Sequence, residues 1–184
     1  KTIHDSTNIP LILYNIPGRS SVDMSNDVVS RLSYLPRVIG LKDASNDLSR
    51  PSWMRLHCEP EFCLLSGEDP TCPGYLAQGG HGCISVTANV APALSAQMHE
   101  AWQRQDTITF SDLRDRLFDL HNALFYESSP SPTKYALSRM GFCKDETRAP
   151  ILPASEECRK VVDEALEKVF AGQDYKNEPV KISA

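Results

Sequence analysis

The stretch Val38-Ile39-Gly40-Leu41-Lys42-Asp43-Ala44-Ser45 decides how this chain is read. It opens as an apolar, partly β-branched run of the kind that forms a strand buried in a parallel sheet, and Lys42 interrupts it. Two readings of that lysine follow. In one, burial disfavours the ammonium, lowers the amine's pKa from its usual ~10.4, and leaves a nucleophile that attacks carbonyl groups and forms Schiff bases. In the other, Lys42 ends an ordinary strand and carries its ammonium out to solvent with Asp43 beside it.

Working outward, residues 11–14, 62–66 and 83–86 are three further short apolar runs, and the four runs begin about 20 to 30 residues apart. Each interval has room for a helix, so the pattern is strand and helix in alternation with right-handed crossovers and a parallel sheet. Val28, Val29, Leu32 and Leu35 give the first intervening helix its apolar face, Ser25 is placed as its N-cap, and Pro36 marks its exit. The second, within 47–57, is bounded by Pro51, which is comfortable only in a first turn. The third falls within 69–78 and stops at Gly79-Gly80.

After Pro92 the pattern is helical alone, over 93–104, 108–125, 131–140 and 155–171. Leu113, Leu117, Leu120 and Leu124, and then Val161, Val162, Ala165, Leu166 and Val169, recur at helical spacing and read as core stripes. The expected division is residues 1–105 for the strand–helix region and 106–184 for a helical region, with a polar, mobile tail at 176–184.

Composition narrows the function. The 184 residues are 41% hydrophobic and 23% charged, as in soluble globular proteins, with a net charge of −5 and no lysine or arginine cluster. Nucleic acid and anionic membrane are therefore not expected partners, and no run of about twenty apolar residues spans a bilayer. Six cysteines form no C-x-x-C pair. His57, Cys58 and Cys63 lack a second half-site, so neither zinc nor a disulfide framework is indicated, and a reduced cytoplasmic setting is expected. The chain opens on Lys1, which reads as a processed product or a piece of a longer chain.

In a parallel sheet or barrel, functional side chains gather at the carboxyl ends of the strands. The runs end in Tyr14-Asn15-Ile16-Pro17-Gly18-Arg19, in Lys42, in Ser66-Gly67-Glu68-Asp69 and in Ser85-Val86-Thr87-Ala88-Asn89. Period-two alternation places Ile12 with Tyr14, and Val38 with Gly40 and Lys42. If those faces coincide, a phenol meets an amine, and a tyrosine can move the protons that carbinolamine formation and collapse require. Tyr14 is equally an aromatic that fills a barrel end. Arg19, in the following loop, is placed to grip a carboxylate or to stand exposed on the surface.

The same segments resemble the dihydrodipicolinate synthase family of pyruvate-dependent Schiff-base aldolases. Tyr14-Asn15-Ile16-Pro17-Gly18-Arg19 is similar to its tyrosine loop and Gly40-Leu41-Lys42-Asp43-Ala44-Ser45 to its lysine strand. Ser66-Gly67-Glu68-Asp69 and the stretch from Gly79 to Val90 resemble the two motifs that follow. The resemblance implies that Lys42 forms a covalent imine with pyruvate, that Tyr14 relays protons, and that the backbone carbonyl of Ile84 lies at the pyruvate site. It implies that Arg19 binds the carboxylate of L-aspartate 4-semialdehyde, giving 4-hydroxy-tetrahydrodipicolinate for lysine and diaminopimelate biosynthesis. No metal or organic cofactor is implied, and the full-length parent is expected to be a homotetramer.

A complete (β/α)₈ barrel takes about 250 residues, so the expected architecture is α/β: the C-terminal half of such a barrel, about four strands, followed by a C-terminal helical region. The family's earlier half carries a Thr-Thr-Gly-Glu segment and a second tyrosine, and neither occurs in this sequence. The alternatives are another pyruvate-dependent aldolase, similar to N-acetylneuraminate lyase or to keto-sugar-acid aldolases, or a non-catalytic fragment that self-associates. Arg19 favours the synthase, since the sialic acid lyases place no arginine after that turn.

Overall fold

The structure, a computed structural model, describes residues 1–171; the tail expected at 176–184 lies outside the described residues. The described residues fall into two compact units, Lys1–Ser85 and a second that begins at Val86.

The first unit is built on four strands: β1 (Leu11–Asn15), β2 (Val38–Asp43), β3 (Cys63–Ser66) and β4 (Gly82–Cys83). They lie side by side in chain order, every neighbouring pair parallel. Around them run α1 (Thr2–Asp5), α2 (Pro17–Ser20), α3 (Asn26–Ser33), α4 (Arg50–His57) and α5 (Cys72–Ala77). The start signals act as expected. Ser25 accepts a hydrogen bond from the Val28 amide and caps α3, and Pro51 sits in the first turn of α4, where its missing N–H costs nothing. After α5, Gly79 takes a left-handed backbone, φ +95°, that ends the helix.

One face of the sheet is closed by helices. Val38 and Leu41 of β2, Leu64 of β3, Val29 of α3, Met54 of α4, Tyr75 of α5 and Phe62 form a buried cluster, against which Leu11 and Leu13 of β1 pack. Full burial of side chains such as Leu41 and Met54 stabilises by about 1.5–3 kcal/mol each. Val38 and Leu41 are three residues apart yet share this face, so strict alternation fails. The β1–β2 register shifts between Leu11 and Ile12, which pair with Val38 and Gly40, and this irregularity absorbs the odd step. Val38 therefore parts company with Gly40 and Lys42. Ile12, Tyr14, Ile39 and Ile84 are exposed.

β4 is shorter than the run at 83–86 suggested, because Ser85 and Val86 leave the ladder and a 3₁₀ turn forms at Thr87–Asn89. The second unit continues with α6 (Pro92–Gln103), α7 (Thr107–Ala123), α8 (Ser131–Arg139) and α9 (Glu156–Val169). Leu113, Leu117, Leu120 and Leu124 are buried, as are Val162, Ala165, Leu166 and Val169, whereas Val161 is half-buried. Asp106 and Ser155 cap α7 and α9. The α7–α9 pairing is tied by Lys168 to Asp119 at 2.7 Å and by Arg116 Nε donating to the Val169 carbonyl at 2.7 Å. No helix among the described residues is long and apolar enough to cross a membrane.

Candidate active site

Adjacent parallel strands bring the two central side chains together. Tyr14 pairs with Lys42 in the β1–β2 register, and Lys42 pairs with Leu65 on its other side. Lys42 Nζ stands 4.2 Å from the centroid of the Tyr14 ring, within reach of an attraction of about 0.5–2 kcal/mol between a cation and a ring face. The contact is with the ring face, where the sequence had suggested hydroxyl to amine. Lys42 is half-buried, not buried, because its side chain lies on the sheet face that carries exposed Ile12, Tyr14 and Ile39. Tyr14 itself is 48% exposed.

Arg19 sits in α2, a single helical turn started by Pro17, and not in an open loop. It is exposed, and it shares an electrostatic neighbourhood with Lys42 through Glu68. The Glu68 carboxyl is pushed above its ordinary range by burial first and by Asp69 next, while Lys42 and Arg19 pull it back down. Ile84, just past β4, is 41% exposed, and its amide donates to the Ser66 carbonyl at 2.9 Å. Lys42, Tyr14 and Arg19 thus lie in one region at the carboxyl edge of the sheet, and Ile84 follows the last strand at that edge.

Gly67 is the neighbour that gives Lys42 room. A Cβ built there would lie 2.9 Å from Ala44 Cβ and 3.1 Å from Lys42 Cε. Gly40 is tight for another reason: its Cβ would meet the Cys63 carbonyl oxygen at 2.7 Å.

Behind the pair is a buried polar network. Asp43 Oδ2 accepts from Arg50 Nε at 2.8 Å, and Asp43 Oδ1 accepts from Asn15 Nδ2 at 3.1 Å and from the Ser45 amide at 3.3 Å. Arg50 Nη2 donates to the Met24 carbonyl at 2.9 Å, while the Met24 amide donates to Asn15 Oδ1 at 3.1 Å. Asn15 Nδ2 also donates to Asp23 at 2.7 Å. Asp43 is therefore not beside the ammonium, as the solvent-facing reading of Lys42 held; it turns to the helix side and pairs with Arg50. The Tyr75 phenol, also buried there, is pushed up by burial and by the charge of Asp43.

A second polar group lies at the end of β4. Ser85 donates to Asp69, and Cys83 Sγ lies 4.0 Å from the same carboxylate. The Cys83 thiol is pushed far up by its hydrogen bond with buried Cys72 and by burial. No group of three or more His, Cys, Asp or Glu among the described residues is placed to hold a metal ion.

Sequence reasoning singled out Lys42, Tyr14, Arg19 and Ile84 but passed over Asn15, Asp43, Arg50 and Gly67. The signal for the first two was available: Asn15 and Asp43 each follow a highlighted residue, so pairing Tyr14 with Lys42 also pairs them, whereas Arg50 reaches them only through the placement of α4. Gly67 had none, since its role depends on the path of the Lys42 side chain.

The fold and site define a parallel β/α protein with a lysine–tyrosine pair at the carboxyl edge of its sheet. The sequence profile of the Dihydrodipicolinate synthetase family matches residues 1–169, and the chain belongs to that family. It is 54% identical over 166 residues to the 4-hydroxy-tetrahydrodipicolinate synthase of Phenylobacterium zucineum, a match covering 90% of this chain and 56% of the relative. Among solved structures, the dihydrodipicolinate synthase of Thermotoga maritima superposes with a TM-score of 0.88 at 31% identity, covering 92% of this chain and 59% of that one. The chloride-inhibited enzyme of Acinetobacter baumannii, complexed with pyruvate, gives 0.86 at 36% identity, covering 91% and 58%. The chain spans a little over half the length of these relatives.

Proposed function

We propose that this chain carries the Schiff-base half of a 4-hydroxy-tetrahydrodipicolinate synthase, and that Lys42 is the amine that reacts with pyruvate. The observation that carries the reading is the 4.2 Å stacking of Lys42 Nζ over the ring of Tyr14 on paired strand positions, with Glu68 and Arg19 in the same electrostatic neighbourhood. The unprotonated Nζ attacks the keto carbon of pyruvate to give a carbinolamine. Loss of the hydroxyl as water then leaves the imine, so amine plus ketone become imine plus water. Tyr14, the ionisable neighbour whose ring the amine covers, is the proposed group to give and take those protons. Loss of a methyl proton from the protonated imine gives an enamine, whose carbon bonds to the aldehyde carbon of L-aspartate 4-semialdehyde while the aldehyde oxygen takes up a proton. The semialdehyde's amine then replaces Lys42 Nζ on the imine carbon, closing the ring and freeing the lysine.

Arg19 is the proposed site for the semialdehyde's carboxylate, its planar guanidinium matching two oxygens at once. The carbonyl of Ile84 is the proposed contact for pyruvate, and the pyruvate complex of the Acinetobacter baumannii relative supports that choice of substrate. No cofactor enters these steps beyond the imine on Lys42. We further propose that residues 1–105 are the C-terminal half of a (β/α)₈ barrel and 106–184 its helical region, and that the full-length protein is a cytoplasmic homotetramer with neither nucleic acid nor membrane as partner.

The test is intact mass and peptide mapping after incubation with pyruvate and borohydride. The expected result is a reduced pyruvate adduct on the Lys42 peptide, absent from Lys42→Ala. A folded sample that acquires no adduct at Lys42 refutes the reading.

A further inference from the structure

We infer that Asn15, Asp43 and Arg50 are positioning residues, a buried clamp that sets Lys42 against Tyr14 from the opposite side of the sheet. The inference rests on the Schiff-base reading of Lys42.

The hydrogen bonds form a closed ring. Asn15 donates to Asp43, Arg50 donates to Asp43 and to the Met24 carbonyl, and the Met24 amide returns to Asn15, at 2.8 to 3.1 Å throughout. Asn15, Asp43 and Arg50 are 1%, 3% and 4% exposed, so water offers no ready substitute for a lost partner. The ring joins the last residue of β1, the last residue of β2 and the first residue of α4.

Its placement gives it a role beyond holding the sheet together. Asn15 and Asp43 are register partners, one step beyond Tyr14 and Lys42. Alternation turns the clamp to the helix side and the reactive pair to the other face. A one-residue slip of β1 on β2 would exchange those faces, and the register irregularity between Leu11 and Ile12 lies at the far end of the pairing from the clamp. The clamp fixes the near end. An apolar pair of similar volume is often as stable as a buried ion pair, so the distinctive contribution of Asp43 and Arg50 is directional: a carboxylate with two fixed donors permits one angle between strand ends, where leucines would permit several.

The experiment is the time course of pyruvate and borohydride trapping at Lys42, expressed per folded molecule, with the folded fraction read from near-ultraviolet circular dichroism. Asn15→Ala removes the cross-strand bond. Asp43→Asn leaves Arg50 uncompensated, and Asp43→Asn with Arg50→Met removes both charges. The expected result is a maximal trapping rate per folded molecule lowered about tenfold or more. The pyruvate concentration for half-maximal rate should change less, the pH midpoint of trapping should shift, and Asp43→Glu should recover part of the rate. Should Asp43→Asn fail to fold, Asn15→Ala and the double variant decide. Unchanged rate and pH midpoint per folded molecule in these variants overturn the inference while leaving the Schiff-base reading intact. Absence of any adduct in the unsubstituted protein overturns both.

Discussion

Replacing Gly67 with alanine asks whether the room beside Lys42 is part of the site. The added Cβ would stand 2.9 Å from Ala44 Cβ, 3.1 Å from Lys42 Cε and 3.3 Å from the Ala44 amide nitrogen. Carbon pairs rest at about 3.5–4.0 Å, so the β2 and β3 ends are overpacked by roughly 0.6–1 Å at Ala44, with a smaller deficit at Lys42. Gly67 is outside the left-handed region, so the penalty is steric and not conformational. Ala44 is buried and part of the main chain contact is rigid, whereas the lysine stem can turn away. The strain therefore divides between strand separation, about 1–3 kcal/mol of stability, and displacement of Nζ from the Tyr14 ring. For a chain of this size the first corresponds to a fall in Tm of about 2–12 °C. The second should lower pyruvate trapping at Lys42 by about ten- to a hundredfold, since misplacement by an ångström costs on that order. Gly82→Ala is the matched comparison, because its Cβ meets only Leu65 Cδ2 at an ordinary 3.5 Å. Thermal unfolding and the trapping time course read the two parts separately. A Gly67→Ala protein with unchanged Tm and trapping rate would refute the reasoning.

Gly40→Ala should cost more stability than Gly82→Ala, because its Cβ meets the Cys63 carbonyl oxygen at 2.7 Å and backbone has no side chain to swing aside; urea midpoints compare the two. Glu68 has its carboxyl raised from an ordinary 4.5, burial being the larger cause. Its contribution to stability is thus full below that ordinary value and lost as pH rises through the raised folded value. Glu68→Gln should remove this slope just above pH 4.5, and denaturation midpoints from pH 4 to 8, taken in steps of about half a unit across the shifted range, would contradict it if the slope persisted. In the second unit, Leu117→Ala should cost about 2–5 kcal/mol, Leu117 being fully buried, whereas Phe118→Ala, at a half-exposed neighbour, should stay near neutral. Thiol labelling of the native protein should reach exposed Cys143 first and spare Cys158, which burial and the charge of Glu127 push up to about 11; equal rates would argue against the packing around α9.

Much of this was legible because the relevant signals are local. Ser25 and Pro51 mark helix starts by what their own side chains can and cannot bond, and both act where the sequence places them. The run from Val38 reads as a strand because four apolar or small residues, Val38 to Leu41, stand together before Lys42. What was not legible depends on register. Val38 shares the helix-facing core with Leu41 because of a shift between strands, which no pattern within β2 encodes. Of the two readings of Lys42, the one that buries it rests on an apolar strand, but burial belongs to a face, and the face it shares with Ile12 and Ile39 is the exposed one. Asp43 illustrates the same point in reverse: adjacent to a lysine in sequence, it pairs with Arg50 in space, since neighbours along a strand point to opposite sides.

That alternation separates the tasks of neighbouring residues. Tyr14 and Lys42 present a ring and an amine on a face with little packing to hold them, while Asn15 and Asp43, the next residue on each strand, are held by a buried ring of hydrogen bonds. Half-exposed side chains keep rotamer freedom that the chemistry would have to lose on binding. What this arrangement fixes is the position of each Cα–Cβ bond, and the last ångström at Nζ is then set by what crowds the side chain, chiefly Gly67 and the Tyr14 ring. Perturbing the clamp and perturbing the crowding should therefore differ in kind. Loss of the clamp lets the two strand ends shift against each other, carrying Tyr14 and Lys42 with them, and disturbs stability and trapping alike. Crowding at Gly67 moves Lys42 relative to a Tyr14 that stays in place, so trapping should fall further than the accompanying loss of stability would account for.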